Sequence, residues 1–399
     1  MITTKAEKLW GPEFIFLLVI NVVNFTGFGI ITPQIPRFAV SLGASLAAAG
    51  VIVSIFPFFA LVGRPFASVI GDRYSKKHLL IAALVLNGLF TILHAFIPTL
   101  FWMIPLRVLH GLVFSLSSTL AIALSVDYVP KSRMGEGVGF LGLGNIIGMA
   151  LGPNIGIFIV NNFSFQLNFV ISGLVIMTAG FAVFWLKQKN QEPRYNGNSG
   201  EKRGFKFGDL VAVELLPNAA FVALFMLGTG LINSFLVMVG YERGIANIGI
   251  YFIVSSIIAL ITRPLIGRLV DRKGSAYVIL PGYIFAALGM FVIGSAFSLW
   301  HLLVAAMFFA IGTGCGMPAI QADCLKRLDP SRRTVATGTY FIGLDMGMII
   351  GPMLGGTVAG LYGFRFTYSG AGVLMILGFL VYLVYSYWEK KRGREAETV

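Results

Sequence analysis

Apolar residues run through this chain in long blocks, and polar or basic residues are confined to the short stretches between them. The blocks stand near 13–38, 46–70, 78–98, 100–127, 136–160, 166–186, 212–240, 246–269, 276–297, 300–325, 335–360 and 366–388. A block of about 20 mostly apolar residues matches an α-helix crossing the hydrocarbon core of a bilayer. Backbone N–H and C=O groups in hydrocarbon must bond one another, so the blocks predict helices and not strands. The chain holds 48 glycines, many at four-residue spacing, which lets helix backbones approach closely in lipid. The pattern predicts an all-α membrane protein of twelve transmembrane helices.

Two motifs occur twice at one constant offset. Arg64-Pro65, six residues and Asp72-Arg73 return as Arg263-Pro264, six residues and Asp271-Arg272. Gly148, Gly152, Pro153 and Gly156 return as Gly347, Gly351, Pro352 and Gly355. Unrelated motifs that share one offset predict two homologous halves. Between them, 187–209 is polar, basic and rich in glycine and asparagine, as a flexible linker is. The expected domains are a six-helix bundle over 1–186, a linker over 187–209, and a second six-helix bundle with a short tail over 210–399.

Composition supports lipid as the main solvent. Hydrophobic residues make up 57% of the 399 and charged residues 12%, against about a quarter charged in a soluble domain. The net charge of +13 raises nucleic acid as a partner, but its placement argues for topology instead. Counted inward from one end, alternate loops carry the basic residues, among them Arg73, Lys76, Lys77, Lys131, Arg133, Lys187, Arg272, Lys273, Lys326 and Arg327. The opposite loops hold only Arg37, Arg243 and Arg365. The positive-inside rule then puts both termini in the cytoplasm of a cell whose inner membrane holds the protein. The first span lacks a small-residue cleavage site and is expected to be retained. Cys315 and Cys324 fall in an apolar block and read as packing residues.

The Arg-Pro and Asp-Arg loops after spans two and eight, Arg107-Val108-Leu109-His110-Gly111 on span four, and the glycines and Pro153 of span five resemble those of the major facilitator superfamily. The likeness covers essentially the whole chain. The span-five pattern is similar to the signature of its 12-span drug–proton antiporters. Ser68 and Ser75 stand where members usually have glycine, and Asn21 and Asn24 where many proton-linked exporters carry an acid. The resemblance implies two pseudo-symmetric six-helix bundles. It also implies a cytoplasmic gate in which Asp72, Arg73 and Asp127 form a charge cluster, matched by Asp271 and Arg272 with Asp323 in the second half. For Arg107 it implies a role in proton coupling or helix bonding.

The residues themselves point the same way. An intramembrane charge such as Arg107 is a functional candidate by default, with snorkelling to the outer interface as the alternative. His110 lies one turn further on the same face and titrates near neutral pH. It suits a proton relay or an interior hydrogen bond. Asp345 is the acid well inside a second-half span, so it must be protonated, paired or facing water. His94 and His301 near outer span ends read as interfacial, and Glu136 and Glu214 as water-exposed acids at helix starts. Gly148, Gly152, Pro153, Gly351 and Pro352 read as a close-packed, bent seam between halves, or as simple helix packing, which uses the same residues. Phe56 and Phe225, with polar Asn24, Asn145, Asn233 and Gln321, are candidates for lining a cavity. Such a lining favours amphipathic or mildly cationic organic substrates. No phosphate loop, His/Cys metal spacing or nucleophile motif appears in the sequence, so neither enzyme chemistry nor a cofactor is expected. Energy must come from protons or from the substrate's own gradient. The expected function is a proton-coupled exporter, acting as a monomer. The alternative is a symporter or uniporter taking up an organic anion.

Overall fold

The long apolar blocks fold as helices because only a helix bonds every backbone group within its own segment. The computed structural model describes residues 9–130, 133–187, 211–329 and 332–397; most of the expected linker lies outside them. Its helices are α1 (Pro12–Ile31), α2 (Gln34–Ser41), α3 (Leu46–Arg73), α4 (Lys76–Leu93), α5 (Leu100–Val126), α6 (Met134–Asn162) and α7 (Phe165–Ala182). They continue as α8 (Leu216–Glu242), α9 (Ile250–Lys273), α10 (Ala276–Ser295), α11 (Leu299–Arg327) and α12 (Arg333–Glu397).

Among the described residues, ten spans are long and apolar enough to cross a membrane. The sequence shows twelve blocks, and the difference lies in two places. Two blocks fall within α12, a single span over Val335–Glu389 that is interrupted at Gly363, where φ 81° and ψ 168° leave helical geometry. The other is α9, whose apolar part is the shorter Ile250–Thr262.

The chain forms two compact units. In the first, α1 packs along α6 and α7, and α4 along α5 and α7. In the second, α8 packs along α12, and α10 along α11 and α12. The pairing thus repeats from one unit to the other. Residues 44–54, the first turns of α3, group with the second unit. There Ser54 Oγ donates to Ile349 O at 2.6 Å, and a Cβ on Gly50 would lie 3.2 Å from Gly356 Cα.

The glycine motifs explain the closest pairings. On α6, a Cβ at Gly148 would sit 2.6 Å from Phe25 Cβ, and one at Gly152 would sit 2.6 Å from Gly29 Cα and from Thr26 O. On α12, Gly343, Gly347 and Gly351 press the backbone of α8 at Ala219, Ala223 and Leu227. Each ladder therefore takes a partner helix backbone to backbone, as small residues do where no hydrophobic effect drives helices together. These glycine contacts lie within each unit, where the facing helix supplies a matching four-residue register. Cross-helix bonds add to the grip, with Ser172 Oγ donating to Gly27 O at 2.5 Å, Asn21 Nδ2 to Leu141 O at 2.9 Å and Tyr283 OH to Phe221 O at 2.7 Å.

A side chain at Gly152 must push α1 from α6, because the three nearest atoms it would meet are all backbone. Gly152→Val is expected to cost about 3 kcal/mol through overpacking, read as a lower detergent-phase melting temperature. Gly139→Ala, with nothing within 4 Å of its Cβ, should be neutral or gain up to about 1 kcal/mol.

Candidate functional site

In the first unit, Arg107 and His110 lie on α5, one turn apart. Arg107 is 4% exposed, and its guanidinium carbon stands 4.6 Å from the centre of the Phe56 ring. It is therefore held inside the unit. Phe56 belongs to an aromatic cluster that sequence reasoning did not assemble. Its ring lies 5.3 Å from Phe28 and 5.0 Å from Phe114, and those two stack at 4.9 Å. His110 meets the same Phe56 ring edge-on at 4.9 Å.

The hydrogen bonds around His110 fix its tautomer. Thr91 Oγ1 donates its proton to Asn87 O at 2.9 Å. It can then only accept at its 3.3 Å contact with His110 Nε2, so Nε2 carries the hydrogen and Nδ1 a lone pair. His94 stands 5.5 Å from His110, centre to centre. Its Nδ1 donates to Phe90 O at 2.7 Å, so Nε2 carries its lone pair. The interfacial reading of His94 is corrected here: the residue is fully buried, because α4 runs on as a 3₁₀ turn over His94–Phe96 that folds its ring inward against Phe169 at 5.5 Å. Sequence spacing gave no sign that His94 and His110 would meet.

The remaining cavity candidates divide. Asn24 on α1 is buried, with no hydrogen-bond partner for either side-chain atom. Asn145 on α6 is exposed, and Asn233 and Gln321 in the second unit are half-buried. Phe225 is fully buried and stacks on Tyr283 at 4.4 Å. A Cβ on Gly316 would strike its ring, so Phe225 packs α8 against α10 and α11. Asp345 lies in the first half of α12, 9% exposed, between Gly343 and Gly347 of the ladder facing α8. His301 accompanies Ser298 at 2.7 Å and the Phe297 ring at 3.9 Å. Among the described residues, no three His, Cys, Asp or Glu side chains gather as a metal site.

At the end of the first unit that carries the basic loops, Asp127 closes α5 and pairs with Lys76 at 2.7 Å. Arg73, expected with Asp72 in one charge cluster with Asp127, lies exposed at the end of α3. The pairing has a physical cause. An acid at a helix C-terminus and a lysine at a helix N-terminus are each disfavoured by the helix dipole, and each offsets the other. Lys77 donates to Phe184 O at 2.9 Å and to Leu186 O at 2.7 Å, capping the 3₁₀ turn Val183–Trp185 that follows α7. The side chains of Asp72 and Asp271 lie outside the described residues, and Arg272 is exposed at the end of α9.

The second unit builds a larger cluster at its basic end. Arg327 bonds Asp323 at 2.7 Å and Tyr385 OH at 3.0 Å, and pairs through both terminal nitrogens with Glu389. Asn218 Nδ2 donates to Asp323 at 2.8 Å. The four-residue step from Asp323 to Arg327 is visible in the sequence; the closure by Glu389 is not. Glu136 pairs with Arg133 at 2.7 Å and Glu214 with Arg332 at 3.2 Å, both on exposed side chains. At the opposite end, Arg243 caps α10 by donating to Ile293 O, Gly294 O and Ala296 O at 2.7–2.9 Å.

Lipid-length helices with ionisable side chains held in the interior define a multi-pass membrane protein. The profile of the Major Facilitator Superfamily matches residues 17–296 and 218–398, and the chain belongs to that family: it is a membrane transporter of small molecules and not an enzyme. Its relatives include the multi-drug resistance efflux pump PmrA of Streptococcus pneumoniae, 24% identical over 91% of this chain and 93% of that protein. The staphylopine export protein of Staphylococcus aureus is 24% identical over 99% of this chain and 100% of that one. The multidrug resistance protein MdtG of Yersinia enterocolitica is 26% identical, covering 90% and 89%. Among solved structures, the nucleoside transporter NupG shares the fold at a TM-score of 0.74 and 13% identity, covering 94% of this chain and 99% of that one. A bacterial homologue of the human lysosomal transporter Spinster does so at 0.72 and 16%, covering 94% and 96%.

The two basic-end clusters should differ in strength. Arg327→Gln leaves Asp323 and Glu389 facing each other half-buried and is expected to cost about 2–3 kcal/mol. Arg133→Gln in the exposed pair should cost under about 0.5 kcal/mol. Thermal unfolding in one detergent compares them, and equal effects would contradict the assignment.

Proposed function

We propose that this transporter is a proton-coupled exporter of small amphipathic organic molecules, working as a monomer by alternating access. The observation that carries the reading is Asp345, an acid in a lipid-length helix that is shielded from solvent. Placing a carboxylate there is costly, and such residues mark ion pathways. Asp345 takes and releases the coupling proton, with Arg107 and His110 serving the first unit. The relatives are named for efflux and export and align over nearly their whole lengths. The aromatic cluster of Phe28, Phe56 and Phe114 suits an apolar substrate face. Asn24, Asn145, Asn233 and Gln321 would supply polar contacts, while Phe225 acts by packing.

Both termini face the cytoplasm of a bacterial-type inner membrane, by the bias of lysine and arginine among the loops. The gate then lies at the basic ends, with Asp72, Arg73, Asp271 and Arg272 in the repeated loops and Asp127 engaged by Lys76. The rocking of the two six-helix halves about a midplane site is the motion such folds use. A second reading, uptake of an organic anion, rests on the guanidinium of Arg107 inside the first unit.

Proteoliposomes loaded with ethidium, a fluorescent amphipathic cation, test the reading. An inward proton gradient should drive the dye out. Asp345→Asn should slow that flux at least about tenfold, a barrier increase near 1.4 kcal/mol, while dye binding persists. Unchanged flux removes Asp345 from the coupling. Accumulation of a labelled organic anion along the proton gradient, with no dye export, selects the second reading.

A further inference from the structure

The two copies of the Arg-Pro and Asp-Arg motif differ at positions that their shared offset aligns. Where the first copy has Val69 and Tyr74, the second has Arg268 and Lys273. All four side chains are exposed. The first copy sets one acid, Asp72, against one base, Arg73, while the second sets Asp271 against Arg268, Arg272 and Lys273. The lysines that follow in the first unit are engaged inside it, Lys76 by Asp127 and Lys77 by the carbonyls of Phe184 and Leu186. Their aligned positions in the second unit, Ser275 and Ala276, carry no charge. The second unit thus presents an outward basic corner that the first unit does not repeat.

This corner stands at the foot of an apolar surface. On α10, Tyr277, Pro281, Ile284, Leu288 and Phe291 are all exposed, and steps of three or four residues put them on one face. On α9, Ile257, Ile261 and Leu265 are exposed, and Arg268 and Arg272 continue the same row. Arg268 lies about 4.5 Å along the axis beyond Leu265, where the row changes from apolar to basic as hydrocarbon gives way to headgroups. The chain reverses at Gly274, whose φ of 88° suits glycine, so α10 starts directly after α9 ends. The reversal brings Lys273 Nζ to 4.8 Å from the centre of the Tyr277 ring and holds the base against the head of the α10 row.

We infer that this corner binds an anionic phospholipid, with the phosphodiester on Arg268, Arg272 and Lys273 and an acyl chain along the exposed face of α10. Arginine meets two phosphate oxygens at once, and lysine adds a point charge. Basic residues beside a membrane span attract anionic headgroups. The surface itself argues against other occupants. A soluble acidic protein reaches the bases but not a row that runs about four turns into the span, to Phe291. A second copy of this chain, related by a two-fold axis along the membrane normal, sets one group of bases against the other, and like charges repel. A lipid with one negative head and apolar tails matches both parts. The site lies on the second unit and is independent of whether transport is coupled to protons.

Native mass spectrometry of the detergent-purified protein tests this, with equal amounts of phosphatidylglycerol and phosphatidylcholine that carry the same acyl chains. The natural protein should retain one phosphatidylglycerol per chain, preferred at least about tenfold, as two net positive charges near a headgroup predict. Equal retention of the two lipids overturns the site. Arg268→Gln with Lys273→Gln should bring the preference to within about twofold of parity. Arg73→Gln with Arg133→Gln removes the same charge from the basic end of the first unit and should leave the preference within about twofold of its natural value. An equal fall in both double variants overturns the assignment to this corner. Arg268→Lys with Lys273→Arg keeps the charge and should keep the preference; its loss there overturns a headgroup site. Inorganic phosphate in large excess should leave the bound lipid in place. Displacement by phosphate makes the corner a plain anion site, and dimers in place of bound lipid give the face to a second copy; either result overturns the proposal.

Discussion

Lipid gives the backbone no hydrogen-bond partners, and that single constraint organises the whole structure. It forces each apolar block into a helix. It also removes the hydrophobic effect as a force between helices, since lipid tails are as apolar as leucine. What holds helices together must then be close packing and the few polar groups that cross between them. The glycine ladders of α6 and α12 are the response to the first need, and bonds such as Ser172 to Gly27 O and Tyr283 to Phe221 O are the response to the second. Individual bonds of this kind contribute about 0.6 kcal/mol on average, so the ladders, which engage several turns at once, carry more of the cohesion.

The ladders also decide what can move. A contact in which glycine Cα meets backbone cannot slide by a fraction of an ångström without losing its fit, because packed interfaces have discrete arrangements. The pairs α1 with α6 and α8 with α12 are accordingly rigid cores within their units. Charge pairs such as Lys76 with Asp127, at 29% and 23% side-chain exposure, are of a different order. They are worth about 1 kcal/mol or less and break readily. Rigid packing inside the bundle and weak, breakable charge pairs at its ends is the distribution of strength that a carrier requires.

Much of this was legible in the residues. Helix length follows from block length, and the repeat of Gly148, Gly152 and Pro153 as Gly347, Gly351 and Pro352 announces that the two units pair their helices alike. The ladders were legible as packing surfaces, but not which helix each would meet, because a flat face does not encode its partner. The acids and bases of the loops were legible as charges, but not as pairs. Asp127 meets Lys76 where helix dipoles, which no motif records, penalise both residues. Glu389 meets Arg327 across 62 positions, a distance that only the packing of α11 on α12 can close. His94 looks interfacial in the sequence because its block ends four residues later, and a 3₁₀ turn, invisible in apolar patterning, tucks the ring inward.

The polar residues inside the helices separate into two kinds by a simple criterion. A hydroxyl can return its hydrogen to the carbonyl one turn back, and Thr26, Thr32, Thr229 and Thr313 all do so. Such residues cost little in lipid and need no further role. Asparagine can do the same with its amide nitrogen, as Asn154 and Asn162 do toward Ala150 O and Phe158 O. Asn24, Asn87 and Asn168 do not, although they are equally able to by type, and their side chains are buried without a partner. Each such group costs about 1–3 kcal/mol, a cost that an apolar residue of similar size at the same position would avoid. Packing alone therefore does not account for them. They sit on α1, α4 and α7; Asn87 lies on the helix that runs on into His94, and Asn168 adjoins Phe169, whose ring meets His94. Among the described residues, the first unit thus holds unsatisfied polarity on α4 and α7 beside its pair of histidine rings.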